Sequence, residues 1–277
     1  MWMCIDGEWK KYVHLLVVEG NGLNSTCKYI DTHCHLDLYS NPLNIVNEIS
    51  RLEIHVVAVT NAPFVYQATV LLAKKCAFIH PAIGLHPELV KSHGNQLQGL
   101  IDGLENSIFV GEVGLDYSTN YEDERNQQRK VFESILSKCH DYGDKFISVH
   151  SRRAANDVIN MIGTDFRGTA VLHWFSGTMK QLETAQNNGL YFSVNTSMIL
   201  SDSGQRLIAA MNPDRVLTET DGPFVDFKGN PAQPHHVSCV VSYLANLWGV
   251  NGSEAKKKVC SNFRLAIGRH GDNIFSH

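Results

Sequence analysis

Fourteen histidines stand among the 277 residues, and the informative ones close hydrophobic runs. The first run ends in Asp31-Thr32-His33-Cys34-His35. Side chains two apart on an extended chain share a face, so His33 and His35 point together while Cys34 points away. Two imidazoles on one face make a pincer for a metal ion. Asp31 lies on the same face one step deeper, placed to orient a ligand through a hydrogen bond. Similar endings recur in Val110-Gly111-Glu112-Val113-Gly114-Leu115-Asp116, Ser148-Val149-His150, Val171-Leu172-His173 and Thr218-Glu219-Thr220-Asp221-Gly222-Pro223. Singly, each is as ordinary as a loop carboxylate or a core histidine. Five coincident placements point to one site.

So many ligand-type residues suit two adjacent divalent ions. His33 and His35 would hold one ion, His150 and His173 the other, and Glu112 would bridge them with its two carboxylate oxygens. Asp221 would complete one shell, accept a proton from the bridging water, or do both in turn. A water shared by two such ions is largely hydroxide near neutral pH, placed for in-line attack on a phosphate or carbonyl. That chemistry is hydrolysis.

The elements that must position these residues are equally regular. Strands are expected to begin near Tyr29, His55, Ile79, Ile108, Lys145, Thr169, Leu190 and Val216. The steps average about 27 residues, the size of a βα unit. Eight units predict an α/β fold, a (β/α)8 TIM barrel, in which strand C-termini converge on one catalytic mouth. A doubly wound open sheet is the structural rival. The runs 56–59 (VVAV) and 146–149 (FISV) are continuous, as parallel strands buried on both faces require. Helical faces read as Ile45, Val46, Ile49 and Leu52; as Val131, Phe132, Ile135, Leu136 and Cys139; and as Ala155, Val158, Ile159 and Ile162. Val237 to Trp248 and Ala255 to Ile267 supply two more. Residues 28–277 form the barrel domain and 1–27 an N-terminal extension, in which Lys11 to Val18 could pair with Met3 to Ile5 across Asp6-Gly7.

Composition narrows the class. A formal net charge of −4 excludes a large basic surface, so any nucleic-acid contact must be local. Leu15 to Val18 is far too short for a signal-peptide core or a membrane span. The seven cysteines are scattered, with no C-x-x-C pair, which fits reduced thiols and a cytoplasmic setting.

The residues also carry a resemblance. His33-x-His35, Gly84-Leu85-His86-Pro87, the Gly111 to Tyr117 run, His150-Ser151-Arg152-Arg153-Ala154, His173-Trp174-Phe175-Ser176-Gly177, Glu219-Thr220-Asp221 and Asn262-Phe263-Arg264-Leu265 follow one family's order. From Tyr29 to about Gly268 the chain resembles the TatD-like metal-dependent hydrolases of the amidohydrolase superfamily. That resemblance implies a TIM barrel with a binuclear centre and nuclease activity, often 3′-to-5′ exonuclease action on DNA single strands or ends. It assigns the metal roles to His33, His35, Glu112, His150, His173 and Asp221, and it turns His86 toward the scissile phosphate. The runs Asp31 to Pro42 and Leu217 to Phe224 are similar to the TatD-like component of Qat anti-phage defence clusters, which carry an ATPase and a QueC-like partner.

Other residues near the mouth are weighed in turn. Arg153 is a candidate phosphate clamp through its forked donors. Ser176 and Thr178 could donate to phosphate, although Thr178 suits a helix N-cap at least as well. Trp174 stands where the family usually has cysteine; core packing is expected for it and for Phe175, over stacking on a base. Gly222 replaces a small side chain before Pro223. The segment Gly229 to His236 lacks the usual Asn-Glu-Pro glutamate. Lys256 to Lys258 are expected on a solvated face.

Three functions follow: a metal-dependent phosphodiesterase acting on DNA, an amide or ester hydrolase such as a D-aminoacyl-tRNA deacylase, or a non-catalytic subunit of a defence complex. Related amide hydrolases often bridge their metals with a carbamylated lysine where Glu112 stands, so the glutamate leans toward phosphate. Four imidazoles favour zinc, manganese or iron, while carboxylates and a phosphate substrate suit magnesium or manganese.

Overall fold

The computed structural model of the chain describes residues 2–5, 8–11 and 27–276. Eight parallel strands form one sheet in sequence order: β1 (Ile30–Cys34), β2 (His55–Val59), β3 (Ile79–Ile83), β4 (Phe109–Gly114), β5 (Phe146–His150), β6 (Thr169–His173), β7 (Tyr191–Val194) and β8 (Val216–Thr218). Each begins within one residue of its expected start. β2 and β4 are buried along their whole length, because helices cover one side and the other strands face the opposite side.

What separates a barrel from an open sheet is the joint between β1 and β8. The Thr32 hydroxyl donates to the Thr218 carbonyl at 3.1 Å, and the Thr218 hydroxyl donates to the Ile30 carbonyl. Beyond the strand ends, the Asp221 amide donates to the His33 carbonyl at 2.9 Å and the His35 amide to the Gly222 carbonyl at 2.8 Å. These bonds bring the sheet round into a (β/α)8 TIM barrel.

The helices form for local reasons. Pro42–Leu52 begins with proline in its first turn behind an Asn41 cap that accepts from the Asn44 amide, and it buries Ile45, Val46 and Ile49. Leu52, expected on that face, is 38% exposed, because the helix ends there and the chain leaves through a left-handed Glu53. Glu122–Tyr142 buries Phe132, Ile135, Leu136 and Cys139 and stops at Gly143, whose φ of 73° lies in the left-handed region. Ala155–Ile162 buries Val158, Ile159 and Ile162. Gly252–Ala266 opens with a reciprocal Asn251–Glu254 capping box. Lys258 pairs with Asp214 on that helix's outer side. Among the described residues, Cys27, Cys34, Cys76, Cys139, Cys239 and Cys260 are free thiols, and no helix is long and apolar enough to cross a membrane.

Near the N-terminus, Trp2–Ile5 pairs antiparallel with Glu8–Lys11. The return strand therefore starts earlier than the expected Lys11, with Ile5 paired directly with Glu8; Asp6-Gly7 lies outside the described residues. Residues 12–18 of that expectation lie outside the described residues.

The closing joint is testable. Thr218→Val removes the donor to the Ile30 carbonyl, and the expected loss of stability is about 1–2 kcal/mol. Urea denaturation should show a lower midpoint with an unchanged slope; an unchanged midpoint would remove the threonine from the closure.

Candidate metal centre

The C-terminal strand ends deliver the expected residues to one place. His33 and His35 come from the end of β1, Glu112 from β4, His150 from β5, His173 from β6 and Asp221 from the turn after β8. Close backbone approach seats Glu112. Its amide donates to the Thr60 carbonyl at 3.0 Å, and a Cβ on Gly84 would lie 2.3 Å from that amide nitrogen, so only glycine fits at Gly84. Gly114, with φ of 135°, likewise lies against the backbone of His150.

Glu112 is 3% exposed and divides its neighbours between its two oxygens. Oε2 lies 3.3 Å from His35 Nε2 and 3.6 Å from His33 Nε2. Asp221 Oδ1 faces the same two nitrogens at 3.5 and 3.6 Å. Oε1 lies 2.6 Å from His150 Nδ1, 2.8 Å from His173 Nε2 and 3.5 Å from His86 Nε2. The two oxygens therefore address two separate sets of nitrogen donors. His33–His35–Glu112 and His86–Glu112–His150 each present ligand atoms close enough to hold an ion, as does His33–His173–Glu219.

Electrostatics follow from burial around that carboxylate. Burial raises the Glu112 carboxyl, yet the His86, His173 and His150 imidazoles outweigh it and hold the group well below its ordinary range. Burial lowers His35, but the carboxylates of Asp221 and Glu112 win and hold it up at about 9. His173 is raised well above its usual value despite burial, through Glu112 and Glu219. Burial, aided by the neighbouring His173, lowers His33.

These features fit divalent cations. The His33 and His35 Nε2 atoms approach to 3.2 Å, where two lone pairs repel unless something positive lies between them. A cation would serve both nitrogens. Imidazole and carboxylate are a donor set suited to zinc, manganese or iron.

Supporting contacts differ from expectation. Asp31 does not orient a histidine ring. Its carboxylate, pushed up to about 8 by burial, accepts from the Thr220 amide at 2.9 Å, the Thr220 hydroxyl and the His33 amide, tying β1 to the turn that carries Asp221. The ring-holding role goes to Ser148, 2.7 Å from His33 Nδ1, and to Asp116, 2.8 Å from His150 Nε2. Sequence reasoning left Asp116 without a role, as it did Glu219. Glu219 accepts from the Trp174 amide at 3.0 Å, from Asn195 at 2.9 Å and from the Ser193 hydroxyl, tying together the ends of three strands. The available signal was spacing: Asp116 lies four residues past Glu112 and Glu219 two before Asp221, an even interval in each case.

A cavity of about 580 Å³ opens over Glu112, large enough for a small ligand. His86 lines it, and its Nδ1 accepts from the Glu88 amide at 3.2 Å. That bond leaves Nε2 to face Glu112 Oε1 at 3.5 Å, within the group that could hold an ion. Arg152 lines this cavity, whereas Arg153 lines an adjoining one. Thr178 is an N-cap in a capping box with Gln181. Phe175 is buried as expected, but Trp174 is not a core residue. It is 37% exposed at the cavity mouth, because a left-handed φ of 39° turns its backbone amide inward to Glu219 and its indole out. Phe224, 59% exposed, lines the same mouth and meets the His35 ring edge-on. Asn61 also lines it, with a buried side-chain oxygen that has no hydrogen-bond partner among the described residues. Gly222 has a steric reason, since a Cβ there would lie 2.0 Å from the Tyr39 hydroxyl.

Known proteins resemble this chain in sequence and fold. The model of the TatD related DNase family matches residues 30–268. Human deoxyribonuclease TATDN3 is 25% identical over 253 residues, covering 84% of this chain and 92% of that protein. The Escherichia coli metal-dependent hydrolase YjjV is 27% identical over 255 residues, covering 85% and 96%. The crystal structure of YjjV, a TatD homologue, superposes with a TM-score of 0.78 at 24% identity over 87% of this chain and 98% of that one. A TatD family hydrolase from Entamoeba histolytica superposes with a TM-score of 0.73 at 16% identity, over 86% and 97%. Matched from its first barrel strand to its last long helix, the chain belongs to the TatD-related DNase family of metal-dependent hydrolases.

Proposed function

We propose that the chain is a phosphodiesterase that uses two divalent ions, zinc, manganese or magnesium, to hydrolyse DNA at unpaired strands or ends. The observation that carries this reading is the division of Glu112, one oxygen toward His33 and His35 and the other toward His150 and His173. When bound, two ions supply an activated water and neutralise charge on the phosphate.

The chain's own groups take the remaining tasks. Asp221, held in a left-handed conformation by the β1–β8 joint, offers Oδ1 as acceptor for the proton released by the attacking water. His86 lines the cavity beside Glu112, where its ring would meet a phosphate or leaving oxygen. Arg152, which has no ion pair among the described residues, supplies a forked cation at the mouth. Trp174 and Phe224 offer exposed rings on which an unpaired base can stack, a sequence-tolerant contact worth about 1–3 kcal/mol per base. A paired base stays in its own stack, so these rings favour single strands or frayed ends. The human relative is named a deoxyribonuclease, which supports DNA as substrate. Cytoplasmic location and a defence setting with ATPase and QueC-like partners complete the proposal. They rest on the cysteine pattern and on the motif resemblance.

Activity should require divalent ions and vanish on chelation. Asp221→Asn keeps the shape of the site but removes the proton acceptor; the expected loss in kcat is about 10²–10⁴-fold on single-stranded DNA. Undiminished cleavage by the purified variant would refute the role. Metal should also raise the melting temperature, corresponding to about 2.7 kcal/mol at a hundredfold excess over Kd. No shift with zinc, manganese or magnesium would leave the fold as a scaffold without a centre.

A further inference from the structure

Beside the metal cavity lies a second one of about 410 Å³, and Ser151 and Ser176 line both. Its wall includes the start of the helix Ala155–Ile162, whose N-cap position is Ala154 and which has no side-chain cap. The first amides of a helix have no partner within it, and Ala155, Asn156 and Asp157, the first three residues of this one, line the cavity. At the opposite wall the Thr178–Gln181 capping box already closes the next helix.

Two further observations point to an anion. Ser151 is only 7% exposed, yet its hydroxyl has no hydrogen-bond partner among the described residues. Arg153, in a left-handed conformation with φ of 56°, lines the cavity with no hydrogen bond or ion pair among the described residues. Arg129, by contrast, is tied to Glu122, Asp157 and the Tyr117 hydroxyl. Asp157 is the acid of this cavity, and its charge is already engaged. It accepts from the Tyr117 hydroxyl at 2.6 Å and lies 3.7 Å from the Arg129 guanidinium.

We propose that the second cavity binds the phosphate next to the scissile one on the same strand, through the Arg153 guanidinium, the Ser151 hydroxyl and the uncapped helix amides. The inference rests on the phosphodiesterase reading and deepens it: the substrate is a chain of at least two phosphates. A forked guanidinium over a helix N-terminus is a strong phosphate-binding combination. Because the two cavities share Ser151 and Ser176, a strand crossing the metal site continues directly into the second.

The test compares a thymidine 5′-phosphate p-nitrophenyl ester, which carries only the scissile diester, with a thymidine trinucleotide. Arg153→Ala should lower kcat/KM for the trinucleotide about ten-fold, through KM, and leave the ester within about two-fold. Arg153→Lys should recover part of the loss. A neutral methylphosphonate beside the cleaved position should abolish the difference between wild type and Arg153→Ala. Equal loss on both substrates, or none, would overturn the subsite. A second arm measures anisotropy of labelled pentathymidylate with the full chain in chelator, where Arg153→Ala should weaken binding about ten-fold. If wild type cleaves neither substrate but binds through Arg153, the hydrolase reading falls and the subsite stands. Binding indifferent to Arg153 removes the subsite whatever the activity.

Discussion

A carboxylate taken out of water survives as an ion only if positive charge is gathered around it. Glu112 is such a group, and the barrel's mouth is organised to supply that charge. Imidazoles from β1, β5 and β6, with His86 beyond β3, reach it from four directions. The same arrangement brings two ring nitrogens on β1 to 3.2 Å, a contact that requires a proton or a cation between them. Metal affinity is thus built into the packing of the strand ends.

That packing depends on the barrel being closed. Asp221 reaches His33 and His35 because Thr32, Thr218 and Asp31 draw β8 against β1. Glu219 performs the equivalent task for β6, β7 and β8, and in doing so it fixes Trp174 with its ring outward. The carboxylates therefore share the work: Glu112, Asp116 and Asp221 line the cavity, Asp116 also holding His150, while Asp31 and Glu219 tie together the strand ends.

Much of this was legible in the sequence because the signals are periodic. Strand spacing placed all eight strands, and the two-residue period brought His33 and His35 to one face. Convergence of strand ends then assembled Glu112, His150, His173 and Asp221, since a barrel leaves those side chains nowhere else to go. What stayed hidden depends on single dihedral angles and on contacts between distant segments. The left-handed turn at Trp174 reverses its expected burial, and no local pattern encodes it. Asp31 has the position of a ring-orienting acid, but the Thr220 amide and hydroxyl lie nearer its oxygens than any imidazole. Arg152 and Arg153 are neighbours in the sequence yet serve different cavities, because the chain turns between them.

The proposed centre would have Glu112 join two ions through its two oxygens. Electron paramagnetic resonance of the manganese-loaded protein tests it most directly. Two ions per chain with the spectrum of a spin-coupled pair are expected, with loss of that coupling in Glu112→Gln. A single uncoupled ion in the wild-type protein, or a coupled pair that persists in Glu112→Gln, would contradict it.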